Sequence, residues 1–173
     1  MTDTPQETKI NLVPEGFEWN MAENKYTKGV PGEVEGSWSF GLENSTEQPD
    51  MKEVMWKGSL TIRMSNSSYV DVIARTFTVE PDTKDGNVTR GHLSSAIHEQ
   101  MNLPLSGDER TKLKDVLIQD DGSGVGAPDG WLDKLEQDGP MAIADLCYEG
   151  NENVFGSLVK KAPTISYFWL HFN

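Results

Sequence analysis

The sequence has one cysteine, Cys147, and three histidines among 173 residues. A lone thiol excludes an internal disulfide and fits a reducing compartment. His92 and His98 stand six residues apart, so on one helix they point about 240° away from each other and cannot share a metal. His171 is distant from both, and no zinc spacing exists. Long apolar runs are missing as well. None approaches the roughly 20 residues that cross a bilayer, and the opening stretch MTDTPQETK lacks a basic-then-apolar leader pattern, so a soluble cytoplasmic protein is expected. Basic residues are few, with 15 Lys and Arg against 28 Asp and Glu, and the one adjacent basic pair is Lys160-Lys161. That balance argues against direct binding of nucleic acid or of an anionic membrane.

Catalytic signatures are also lacking. There is no Gly-x-Ser-x-Gly elbow to support a Ser/His/Asp triad. The glycine-rich stretch from Gly122 to Gly126 lacks the Lys-Ser/Thr of a phosphate loop, follows a helix instead of a strand, and lies beside carboxylates that repel phosphate. Cys147 is expected on the buried side of a helix, where a thiol is inert packing. The loop Asp120-Asp121-Gly122-Ser123-Gly124 with Asp129 offers hard oxygen ligands of the kind calcium takes. It departs from the EF-hand pattern, with Trp131 where a bidentate Glu is required, and reads as a polar surface loop. No catalytic residue, metal or cofactor is assigned.

What the chain does have is a concentrated field. Residues 115–152 contain ten carboxylates against Lys134 alone and carry −9 of the total −13. Residues 1–53 carry −7, while 54–114 and 153–173 carry +1 and +2. Within the acidic window Asp129, Asp133 and Glu136 are spaced i, i+4, i+7, and Asp145, Glu149 and Glu152 repeat the spacing. On helices each trio lines one face. Like charges at i, i+4 cost roughly 0.2 to 0.5 kcal/mol per pair, a cost that attraction for a basic partner can offset. Adjacent carboxylates on such a row lie about 5 to 6 Å apart, comparable to phosphates along a nucleic-acid strand, a geometry that suits a DNA mimic. The ordinary alternative is a solvated helical face.

Hydrophobic residues make up 36% of the chain, with five Trp, six Phe and four Tyr, enough for one sizeable core. A single domain over 10–173 is expected behind a flexible tail at 1–9. Short strands are expected at 10–13 and 33–42 among turn formers. Val54, Trp56, Gly58, Leu60, Ile62 and Met64 alternate with Lys57, Ser59, Thr61 and Arg63, which predicts one half-buried antiparallel strand over 54–64. After the turn cluster at 65–68, residues 69–79 are apolar on both faces, so the second strand of a long hairpin is placed inside a sheet.

The period then changes. Leu93, Ala96, Ile97 and Met101 form a helical stripe that Pro104 ends. Ser106-Gly107-Asp108-Glu109 has capping-box spacing ahead of Leu113, Val116 and Leu117, and predicts a second helix. Short helices are expected after Asp129 and after Asp138, the latter turning Ile143, Leu146 and Cys147 inward. Residues 164–172, TISYFWLHF, return to strand and require cover on both sides or a subunit contact. The fold class is therefore α+β: an antiparallel sheet with a long central hairpin, a block of three to four helices, and a C-terminal strand returning to the sheet.

Gly36-Ser37-Trp38, near an early strand, resembles the Gly-x-Trp at the start of lipocalin-type barrels, where the Trp closes one end. The resemblance implies an antiparallel barrel and covers three residues; the helical block from Arg90 to Glu149 departs from it, and no binding residue is carried over.

Three functions are compatible with these features. The first is a non-enzymatic acidic interaction protein that binds a basic protein partner, as inhibitors, immunity proteins and nucleic-acid mimics do. Its docking residues would be Asp129, Asp133, Glu136, Asp145, Glu149 and Glu152, with Trp131 as an anchor amid them. The second is a structural or assembly subunit of a virion or other particle, self-associating through the C-terminal strand. The third is a small-molecule binding or enzymatic α+β domain with an aromatic pocket drawn from Trp38, Trp56 and Trp169.

Overall fold

The computed structural model describes residues 8–40, 47–66, 75–81, 84–119, 135–136, 141–146, 155–160 and 166–172. It is mixed α+β. The main sheet has five strands: β1 (Thr8–Ile10), β7 (Leu60–Asn66), β8 (Arg75–Val79), β10 (Phe155–Lys160) and β11 (Tyr167–Phe172), in the order β1-β10-β11-β7-β8. β11 runs antiparallel to β10 and parallel to β7, so the last strand is hydrogen-bonded along both edges within the chain. Phe168 of this strand is fully buried; the side chains of residues 169–172 lie outside the described residues.

Three two-stranded sheets accompany the main one. β2 (Phe17–Asn20) pairs with β3 (Lys25–Lys28), β4 (Val30–Pro31) with β5 (Trp38–Ser39), and β6 (Val54–Lys57) with β9 (Asn87–Thr89). The β2–β3 hairpin is absent from the sequence reading. Its turn is built by Asn20, whose side chain accepts the N–H groups of Ala22 and Glu23, and by Asn24 at φ +53°.

The strand expected over 54–64 is two strands in two sheets. The alternation holds within β7, where Leu60, Ile62 and Met64 are fully buried, each contributing about 1.5 to 3 kcal/mol. It breaks at Gly58, whose φ of +88° is open to glycine and strained for other residues. The Gly58 N–H donates to the Gly86 carbonyl at 2.7 Å, turning the chain out of β6 and into β7. Sequence parity carried across that break by chance.

A second correction concerns β8. Its antiparallel pairing with β7 runs over five residue pairs, from Leu60 opposite Val79 to Met64 opposite Arg75, shorter than the long hairpin expected over 54–79. Among the described residues β8 is an edge strand, with Thr76 and Thr78 exposed and Val79 buried. Residues 69–74 of the expected strand lie outside the described residues. β1 begins at Thr8, ahead of the start expected at Ile10.

Among the described residues three helices stand between β9 and β10: α1 (Arg90–Asn102), α2 (Gly107–Gln119) and the short α3 (Ile143–Leu146). α1 starts at Thr89, whose side chain accepts the His92 N–H, and buries Leu93, Ile97 and Met101 as the stripe predicts. The capping box of α2 is present in both directions. Glu109 N–H donates to Ser106 Oγ at 3.1 Å, and Ser106 N–H donates to Glu109 Oε1 at 2.9 Å. Of its stripe, Leu113 is buried; the side chains of Val116 and Leu117 are outside the described residues. A buried cluster runs from Ile10 and Leu12 through Trp19, Ile62, Ile97 and Leu113 to Phe168 and joins the helices to the main sheet.

The architecture departs from the lipocalin expectation. An open sheet with a parallel β7–β11 pair is not an up-and-down barrel, and Trp38 is 37% exposed on a two-stranded ribbon. No helix among the described residues is long and apolar enough to cross a membrane.

Candidate functional site

Five of the seven residues proposed for docking, Asp129, Trp131, Asp133, Glu149 and Glu152, lie outside the described residues, as do the loop 120–129 and Cys147. Glu136 and Asp145 are described, and each is exposed. Leu135 and Glu136 form a helical fragment seated on α2: the buried Leu135 gives its carbonyl to Arg110 Nη2 at 3.2 Å, and Glu136 pairs with Lys114 at 3.3 Å. Both partners of that ion pair are exposed, so it contributes at most about 1 kcal/mol. Residues 135–136 are thus held against α2, the helix that carries Arg110, Lys112 and Lys114.

Asp145 has a different task. Its Oδ2 accepts the Ala142 N–H at 2.9 Å while its own N–H donates to the Ala142 carbonyl at 3.1 Å, a reciprocal cap on α3. The preceding strand of chain is fixed by Leu105 N–H donating to the Met141 carbonyl at 2.6 Å and by the Pro104–Ala142 bridge. Both stripe carboxylates that can be placed therefore have partners inside the molecule. Each also has an open side facing solvent.

The most constrained polar group was not found from sequence. Arg90, at the first position of α1, is 2% exposed. Its Nε donates to the Leu12 carbonyl at 3.0 Å, Nη2 to the Asn11 carbonyl at 3.3 Å and Nη1 to the Asp50 carbonyl at 2.5 Å, with Glu53 Oε2 2.7 Å from Nη1. Leu12 also accepts the Tyr26 hydroxyl at 3.2 Å. Burial pushes the Tyr26 phenol up to about 12, against the opposing pull of Ser94 and the Arg90 charge. A signal was present in the sequence. A cation in the first turn of a helix opposes the helix dipole, and α1 has no acidic residue there to offset it, so Arg90 needs a compensating partner elsewhere in the chain.

Arg75 forms the second such node. It donates to both oxygens of Glu109, at 3.0 and 3.1 Å, and to the carbonyls of Gln100, Leu103 and Pro104 at the end of α1. Burial raises the Glu109 carboxyl, but the Arg75 guanidinium and the Ser106 N–H outweigh it and hold the group below its usual range. These two arginines satisfy backbone carbonyls and lock elements together. Neither points a free charge at a cleft.

The histidines are used in the same way. A His92 Nε2 contact reaches the Glu80 carbonyl at 2.8 Å, and His98 Nδ1 reaches the Met21 carbonyl at 2.9 Å. Among the described residues no group of three or more His, Cys, Asp or Glu is arranged to hold a metal ion.

The aromatic residues proposed for a pocket are divided. Trp38 is on β5 and Trp56 on β6, in separate ribbons, and the Trp169 side chain lies outside the described residues. A cleft of about 360 Å³ is lined, among the described residues, by Val54, Met55, Trp56 and Lys57. The Trp56 ring meets Phe168 edge-on at 5.0 Å, and Lys160 Nζ lies 5.6 Å from the Trp56 ring centroid. Set against known protein families, curated proteins and solved structures, the chain matches none of them.

Proposed function

We propose that this chain is a non-enzymatic cytoplasmic interaction protein whose carboxylate surface engages a basic protein partner, in the manner of inhibitors, immunity proteins or nucleic-acid mimics. The observation that carries this reading is the charge distribution, with −9 packed into residues 115–152. Asp115, Glu136 and Asp145, the three carboxylates of that window whose placement is described, are solvent-exposed and support it. The mechanism is electrostatic steering followed by docking: the field raises the encounter rate, and Trp131 among Asp129, Asp133, Glu136, Asp145, Glu149 and Glu152 supplies the apolar anchor. Nucleic acid and anionic membrane are repelled by the same field.

The test is capture of partners from lysate of the native host beside a variant carrying Asn or Gln at Asp129, Asp133, Glu136, Glu149 and Glu152. Asp145 is retained because its carboxylate caps α3. One basic protein is expected on the original chain, absent from the folded variant and released by roughly 0.5 M salt, where screening cuts the interaction range to a few ångströms. Equal capture by both chains would reduce the stripes to a solvated surface.

A further inference from the structure

A second surface stands apart from the acidic window. Val30, Val34 and Trp38 are three of the five large hydrophobic residues most exposed among the described residues, at 42%, 72% and 37%, and all belong to the β4–β5 ribbon. The ribbon is rigidly built. Gly32 N–H donates to the Ser37 carbonyl at 2.8 Å, while Ser37 N–H and Oγ both donate to the Val34 carbonyl, at 2.9 and 2.6 Å. Gly32 has no room for a side chain against Ser37, and the Trp38 ring rests on Gly16 at the base, where a methyl group would come within 3.0 Å of it. The tip therefore holds Val34 out to solvent between Glu33 and Glu35, with no cation in residues 29–46.

The same chain carries a complement to that tip. The shallow cleft beside Trp56 is apolar along Val54, Met55 and Trp56 and is lined as well by exposed Lys57. Val54 is itself 42% exposed. An apolar knob flanked by two carboxylates is thus matched in character by an apolar cleft whose lining carries an exposed ammonium group. We propose that this chain self-associates by seating the β4–β5 tip of one copy in the Trp56 cleft of a second, with Val34 in the cleft and Glu33 and Glu35 against Lys57. Two copies exchanging tips close a dimer, whereas one-way insertion builds a ring or an open chain. The contact does not depend on the carboxylates of residues 129–152 and stands or falls separately from the acidic docking face.

Two copies each carrying −13 repel at long range. At about 150 mM salt the screening length is about 8 Å, which removes most of that repulsion while leaving pairs in contact. Sedimentation velocity at that salt, from roughly 10 μM to 1 mM, a range suited to weak contacts, is the test. The average mass of the original chain is expected to rise with concentration. Val34→Asp, at a position exposed enough to leave folding intact, should stay monomeric with an unchanged far-ultraviolet circular dichroism spectrum. Glu33→Lys/Glu35→Lys and Lys57→Glu should each weaken association about tenfold or more, as for loss of charge pairs at an interface. An equimolar mixture of those two variants pairs the unaltered tip of the Lys57→Glu copy with the unaltered cleft of the other and should recover association that neither shows alone. A monomer at every concentration overturns the proposal. Association that survives Val34→Asp, or that the mixture does not recover, also overturns it.

Discussion

Single residues carry more of this fold than their surface neighbours, and Arg90 carries the most. It joins the strand after β1, the loop at residue 50 and the start of α1 through one guanidinium. Arg90→Ala leaves the Asn11 and Asp50 carbonyls without their donor and should cost about 3 kcal/mol. Glu53→Gln should cost under about 1 kcal/mol, because Glu53 is 54% exposed and the Gln amide oxygen can still accept from Arg90 Nη1. Urea midpoints of the two variants measure the contrast, and similar losses would contradict it. Arg90→Lys is not expected to rescue, since an ammonium cannot reach three divergent carbonyls. Tyr26 adds a pH dependence of known sign. Its folded pKa, about 12, is above the unfolded value of 10.0, so its contribution is fully present below pH 10 and is lost as pH rises toward 12. The loss amounts to about 2 to 3 kcal/mol. Urea titrations between those pH values should show a shallower decline in Tyr26→Phe.

At the level of elements, the capping box of α2 was legible because its chemistry is local, whereas the helix expected after Asp138 begins only at Ile143. Ser106 and Glu109 satisfy each other's backbone within four residues, and that spacing is visible in the sequence. What sequence did not give is that Arg75, on β8, also binds Glu109 and ties the edge strand to the α1–α2 connection. Glu109 consequently has two roles. Ser106→Ala should cost about 1 kcal/mol at every pH. Glu109→Gln should cost more at neutral pH than in acid. The folded carboxyl is held below 4.5, so its contribution is present above that pH and is lost as pH falls through the lowered folded value. Thermal melts of Glu109→Gln and the original chain should therefore converge on acidification, and parallel curves would refute the Arg75 pairing. Gly58 marks the opposite case. Nothing in the alternation of residues 54–64 reveals that one glycine sends the two halves into different sheets, because β6 and β7 are told apart only by their partners β9 and β11.

Across the whole molecule the buried cluster links strands from residue 10 to residue 168 with all three helices. β1, near one end of the chain, pairs with β10, near the other, so neither half buries its core alone. Unfolding in urea should be one transition, with tryptophan fluorescence and far-ultraviolet circular dichroism coincident. Separate midpoints would show that the acidic half folds independently. The core's dependence on distant pairing also sets which surfaces remain for partners: β11 has both edges occupied within the chain, while the β4–β5 ribbon projects three apolar side chains.

The sequence by itself determined the mixed α+β class, the stripe of α1, the capping box of α2, the alternation of β7 and the acidic field, all of which rest on periods and spacings a few residues long. Tertiary structure alone decided that β8 lies at an edge among the described residues, that β11 runs parallel to β7, that Arg90 is buried, and that Glu136 and Asp145 have partners at home. Those outcomes depend on contacts between segments separated by tens of residues. Chain topology chooses the partner there, and no local pattern records the choice.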